Sequence, residues 1–136
     1  MSDPKNSGHR DVAARSAQDW KKSAHHGAGT WLAERFTGLA LLVLTVWAAW
    51  AACKIAGTGF DGAHAFVAQP LNTALISLTV VVAIWHMYMG LRTVIEDYFD
   101  KADGRGVYLF LAFLLSLVLL AASLGGVYLV YQGGHA

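Results

Sequence analysis

The sequence predicts an all-α membrane protein built on three transmembrane helices, and three observations predict it. Of its 136 residues 56% are hydrophobic and the mean hydropathy is +0.45, more apolar surface than a soluble domain of this length can hide. That content is gathered into three runs, Phe36–Cys53, Leu71–Leu91 and Val107–Tyr131, each near or above the ~18 residues that cross a bilayer. None of the runs contains Asp, Glu, Lys or Arg. The expected layout is a polar tail over residues 1–34 and a three-helix anchor domain over 35–136.

The tail carries Lys5, Arg10, Arg15, Lys21 and Lys22 with His9, His25 and His26. Its first half has the composition of a disordered segment, while the stretch from Trp20 to Trp31 suits a helix lying along the membrane interface or against a partner. No apolar core precedes a small-residue cleavage site, and Asp3, Asp11 and Asp19 interrupt the basic residues. Neither a secretory signal nor a transit peptide is expected. His25 and His26 are adjacent, do not share a helical face and have no carboxylate or cysteine to complete a metal set.

Glu34-Arg35-Phe36-Thr37-Gly38 opens the first span, expected over about residues 36–55. Arg35 lies at the water boundary, where its stem can snorkel or its guanidinium can pair with an anionic cofactor group or with Asp97. Both roles stand at this point. Trp47 and Trp50 share a face near the far end, as in an aromatic belt, and Lys54 closes the helix. Cys53, the only cysteine, excludes a disulfide framework and a thiolate metal cage; it reads as a small buried residue.

The connection over residues 56–69 holds Gly57, Gly59 and Gly62, with Asp61 and His64 as polar loop residues. Pro70 then suits a helix start, where its missing N–H has no partner to lose. The second span is expected over 71–91, with a helical extension past the hydrocarbon to residue 99. Asp100, Lys101, Asp103, Gly104 and Gly106 make a polar turn. In the third span, over 107–131, Ala121 with Gly125 and Ala122 with Gly126 are small pairs of the kind that lets helices approach closely in lipid.

Basic residues set the orientation. Six of the ten precede or open the first span, and Arg92, Lys101 and Arg105 flank the turn between the second and third. Only Lys54 falls on the opposite side. The positive-inside rule places the N-terminus in the cytoplasm and the C-terminus in the periplasm.

The stretch from His86 to Tyr98 holds the groups that call for a reason. His86 is the only histidine well inside an apolar run, and an ionisable group there is costly enough to suggest function. It sits roughly 7–8 Å inside the cytoplasmic end of its span. The residues leave four roles open: a neutral imidazole bonded to a neighbouring helix, a haem ligand, a quinone contact or a step in a proton path. A bis-histidine haem needs two buried imidazoles, so the haem reading requires a partner subunit. Gly90, one turn on, leaves the surface beside the ring bare. At about 100° per residue, Asp97 returns to nearly the His86 face, roughly 16 Å along the axis. Asp97 and Tyr98 suit either a solvated interface or a quinone site, where a tyrosine hydroxyl donates to a carbonyl and a carboxylate holds a proton or orients an arginine. Glu96 and Asp100 read as surface charge, and Met87 and Met89 as packing residues. No phosphate-binding glycine loop, nucleophile with its base, metal-hydrolase spacing or basic nucleic-acid patch is present. The chain reads as one part of a membrane assembly, without a complete reaction of its own.

The pattern His86-x-x-x-Gly90-x-x-x-x-x-x-Asp97-Tyr98 resembles the second helix of the small hydrophobic membrane anchor subunits of succinate dehydrogenase (respiratory complex II). Gly29-x-Trp31-x-x-x-Arg35-x-Thr37 and Pro70-x-Asn72 agree with it, and the resemblance covers roughly residues 27–131. It implies a three-helix anchor beside a larger cytochrome b anchor subunit, the two carrying a flavoprotein and an iron–sulfur subunit on the cytoplasmic face. By the same resemblance His86 is an axial ligand of haem b, with the second ligand from the larger anchor. Tyr98 hydrogen-bonds ubiquinone, Asp97 lies beside it, and Arg35 lies near the haem propionates and the quinone pocket. The larger anchor usually shows a Ser-x-x-His-Arg motif before its first span; here Glu34 precedes Arg35 and Thr93 follows Arg92, so the small anchor fits better. The expected function is electron transfer from succinate oxidation to the quinone pool, in the inner membrane of a bacterium. A cytochrome b anchor of a fumarate reductase and a non-redox three-helix assembly subunit are the alternatives.

Overall fold

The computed structural model describes residues 28–99 and 104–134 in full, and residues 7–27 only as helical backbone. Four helices follow one another among the described residues: α1 (Ser7–Ile55), α2 (Gly59–Val67), α3 (Pro70–Tyr98) and α4 (Arg105–Gly133). No strand occurs among them. The Ala28–Ile55 part of α1, all of α3 and all of α4 are long and apolar enough to cross a membrane. The chain forms two units, Met1–Ala33 and Glu34–Ala136. His9, His25, His26, Trp20 and Asp100 lie outside the described side chains.

Each span is helical because a backbone in lipid has no water to bond and must satisfy itself within one segment. From Leu39 to Ala56 no glycine or proline interrupts α1. Its apolar residues face outward: Leu42, Val43 and Val46 are each more than 60% exposed, as suits side chains meant for lipid or another subunit. Cys53, expected to be buried, is exposed on this helix, because its neighbours within the chain reach only the other faces.

The connection read as a loop contains α2. Gly57 (φ 82°) and Gly59 (φ 71°) make left-handed turns that a side chain would strain, and they reverse the chain into the helix. These glycines gave the segment its loop-like composition. Once past them, Ala63, His64, Phe66 and Val67 turn inward to half-buried positions, while Phe60 stays exposed. Phe66 packs its ring 6.4 Å from Trp50, so Trp50 serves as a packing partner as well as a belt residue, with Lys54 Nζ 5.7 Å over its ring.

The start of α3 is pinned to the end of α2. Buried Asn72 donates to Phe66 O at 2.8 Å and to Gln69 Oε1 at 3.1 Å. The Thr73 hydroxyl donates to Val67 O at 2.6 Å. The end of α4 closes on the same helix: Cβ atoms at Gly133 and Gly134 would press on His64 and Ala68. His64 is thus a packing residue of a helix.

α3 packs along α4, through Tyr88 against Phe113 edge to face at 6.0 Å and Phe99 against Tyr108 at 4.6 Å. The close approach uses Ala112 and Ser116, both buried and one turn apart, with the Ser116 hydroxyl returned to Ala112 O at 2.8 Å. The expected small pairs play no part in it. Gly125 and Gly126 have nothing within 4 Å of where a Cβ would stand. Met89 is buried as expected, but Met87 is 41% exposed.

Replacing Asn72 by Ala removes the side-chain donor to the part-buried Phe66 carbonyl, a hydrogen bond worth about 0.5–1.5 kcal/mol. The expected result is a lower thermal unfolding midpoint for the detergent-solubilised protein, and an unchanged midpoint would contradict this role for Asn72.

Candidate functional site

The α1–α3 contact is polar at one end. Thr37 lies just inside the start of one apolar run and His86 just inside the end of another, so antiparallel spans bring them to one level. Thr37 Oγ1 and His86 Nδ1 are 2.9 Å apart. The same hydroxyl donates to Glu34 O at 3.1 Å, and a hydroxyl carries only one hydrogen. With that hydrogen on Glu34 O, its lone pairs are available to Nδ1–H. That arrangement fits the tautomer with a lone pair on Nε2, which no hydrogen bond reaches among the described residues.

A second tie lies one turn or two further along α3. Thr93 Oγ1 stands 3.1 Å from Glu34 Oε1 and 3.1 Å from Met89 O, and its hydrogen serves both. Glu34 therefore accepts twice, by its backbone from α1 and by its carboxylate from α3. Glu34, His86, Gly90 and Thr93 line a cavity of about 210 Å³. A Cβ on Gly90 would meet nothing within 4 Å, so the space beside the imidazole is open. Across the helix pair a Cβ on Gly38 would touch His86 Cε1 at 3.6 Å, an ordinary contact.

A groove of similar size, about 220 Å³, lies between α3 and α4. Its walls are apolar and aromatic, among them Val81, Trp85 and Leu117, and the Ser116 hydroxyl in it is already committed. The cavity beside His86 is the one of the two that an imidazole lines. Among the described residues no three His, Cys, Asp or Glu side chains gather.

His86, Gly90, Thr93 and Asp97 follow one another at spacings of four, three and four and share one face of α3. Tyr98 is turned about 120° from it. Asp97 is exposed and makes no ion pair among the described residues, and Tyr98 is 83% exposed at the helix end. Arg35 is exposed on α1, and Arg92 pairs with Glu96 at 2.8 Å. The structure thus assembles Glu34, Thr37, His86, Gly90 and Thr93, and leaves Asp97, Tyr98 and Arg35 facing outward. Thr37 stood in the motif before the first span, but its bonding role, Thr93 and the Glu34 acceptor role escaped the sequence reading. The available signal was the matched depth of Thr37 and His86 in antiparallel spans.

A family model described as succinate dehydrogenase/fumarate reductase transmembrane subunit matches residues 13–125. The chain is similar to the succinate dehydrogenase hydrophobic membrane anchor subunit of Rickettsia conorii, 28% identical over 90% of this chain and 93% of the relative. The subunit of the same name from Rickettsia felis is 26% identical over 74% of this chain and 84% of its own. That from Paracoccus denitrificans is 27% identical over 74% of this chain and 78% of its own. No solved structure gives a significant match.

If Gly90 is bare to leave room rather than to let helices touch, Gly90→Ala is harmless to the chain itself. Its thermal midpoint should hold or rise, by as much as about 0.5–1 kcal/mol of helix stability. A marked fall would show that the glycine is a packing requirement.

Proposed function

The chain belongs to the succinate dehydrogenase/fumarate reductase transmembrane subunit family, and on that premise we propose that it is a complex II anchor that helps hold haem b and ubiquinone. The observation that carries the reading is the His86 arrangement: an imidazole within a span, its Nδ1 2.9 Å from the Thr37 hydroxyl, its Nε2 without a hydrogen bond among the described residues, and an open cavity beside it. Those features fit an axial haem ligand, whose second ring nitrogen is normally fixed by such a hydrogen bond. The bound haem supplies a one-electron store between partner and quinone.

This chain has one such histidine, so a second ligand would have to come from a partner, the larger cytochrome b anchor subunit. A flavoprotein and an iron–sulfur subunit complete the assembly and deliver the electrons of succinate oxidation. Reduction of ubiquinone takes two electrons and two protons. Tyr98 would donate its hydroxyl hydrogen bond to a quinone carbonyl, with Asp97 beside it as a proton-holding group. Their exposure at the end of α3 supports a pocket that is completed by another subunit. Arg35 would meet haem propionates or the quinone site at the same membrane face. The distribution of basic residues supports a cytoplasmic position for that face and a periplasmic C-terminus, in what would be a bacterial inner membrane.

Purified with its partners, the complex should show a b-type haem spectrum that His86→Ala abolishes. Retention of that signal in the variant would defeat the ligand assignment. Tyr98→Phe should lower quinone reduction by about tenfold, the scale of one hydrogen bond, while succinate oxidation by an artificial dye continues. Equal loss of both activities would point to failed assembly instead.

A further inference from the structure

We propose that Thr37 is a positioning residue for the haem site, selecting the ligating tautomer of His86 and strengthening the imidazole as a donor. The proposal rests on His86 being a haem ligand. Three observations carry it. First, the hydroxyl lies 2.9 Å from Nδ1 and no other hydrogen bond reaches the ring among the described residues. Second, the Thr37 hydrogen is directed to Glu34 O at 3.1 Å, so toward the ring the oxygen is an acceptor. Third, a Cβ on Gly38 would stand 3.6 Å from Cε1, an ordinary contact, so α1 passes beside the ring without crowding it.

An acceptor at Nδ1–H has two effects. It holds the proton on Nδ1, which keeps Nε2 as the lone-pair nitrogen, and it draws the N–H bond toward imidazolate character. A more basic ligand favours ferric over ferrous iron and holds the haem potential down. Thr37 belongs to α1 while His86 belongs to α3, so the first span takes part in haem binding without supplying a ligand.

The test compares Thr37→Val, Thr37→Ala and Thr37→Ser in the purified complex. Val keeps the shape and loses the hydroxyl, Ala removes bulk as well, and Ser keeps the acceptor. Loss of an outer hydrogen bond typically weakens binding about 10–100-fold, so Val and Ala should retain less haem b through dilution or extraction. What remains should titrate at a higher midpoint, by about 59 mV for each tenfold loss of ferric preference. Ser should restore both haem content and midpoint. Wild-type retention and midpoint in Val and Ala would overturn the proposal while leaving the ligand assignment intact. Failure of both hydroxyl-free variants to assemble would mark Thr37 as structural and overturn it too. A wild-type complex without haem b, or a b-type signal surviving His86→Ala, would overturn the underlying reading and the proposal with it.

Discussion

Within an apolar span an imidazole cannot be left to water, and the Thr37–His86 hydrogen bond is how this chain meets that constraint. Burying an amide or hydroxyl without a partner costs on the order of 2–7 kcal/mol, whereas this bond gives the hydroxyl and one ring nitrogen a partner at once. The bond joins α1 to α3 at one level. Glu34 is fixed by the same contact. Its backbone carbonyl takes the Thr37 hydrogen and its carboxylate takes that of Thr93, so a few groups close the α1–α3 pair at one end. The cavity beside the imidazole follows from that geometry, because Gly90 lies where any larger residue would occupy it.

The opposite end is fastened by other means. There the polar group is Asn72, whose amide ties the close of α2 to the opening of α3. Two glycines let the end of α4 lie on His64 and Ala68. Between the two ends the helices rely on aromatic and small-residue packing, strongest along α3 and α4. Much of the remaining apolar surface faces outward. In water that exposure would be unfavourable, but in a bilayer it carries little penalty, since lipid is as apolar as another helix.

The two stretches of α3 proposed for haem and quinone differ in how much of their surroundings this chain provides. The His86 ring has its hydrogen bond to Thr37 in place. Tyr98 and Asp97 stand exposed at the helix end, Asp97 on the His86 face and Tyr98 turned away from it. On the proposed reading a quinone pocket there would depend on a neighbouring subunit for its walls.

Three spans were legible in the sequence because twenty-odd apolar residues without a charge admit one solution in lipid. Pro70 and the prominence of His86 were legible for equally local reasons: a missing N–H, and an ionisable group where none is cheap. The short helix α2 was hidden because its flanking glycines, needed for left-handed turns, have the composition of a loop. Spacing also suggested Ala121, Ala122, Gly125 and Gly126 as the close contact, but small residues recur on several faces and only packing selects among them. Ala112 and Ser116 were the ones selected. The hydrogen-bonded role of Thr37 was likewise undecided until α1 met α3. Periodicity determines which residues share a helix face; the partner each face meets is a long-range choice, made by the tertiary structure alone.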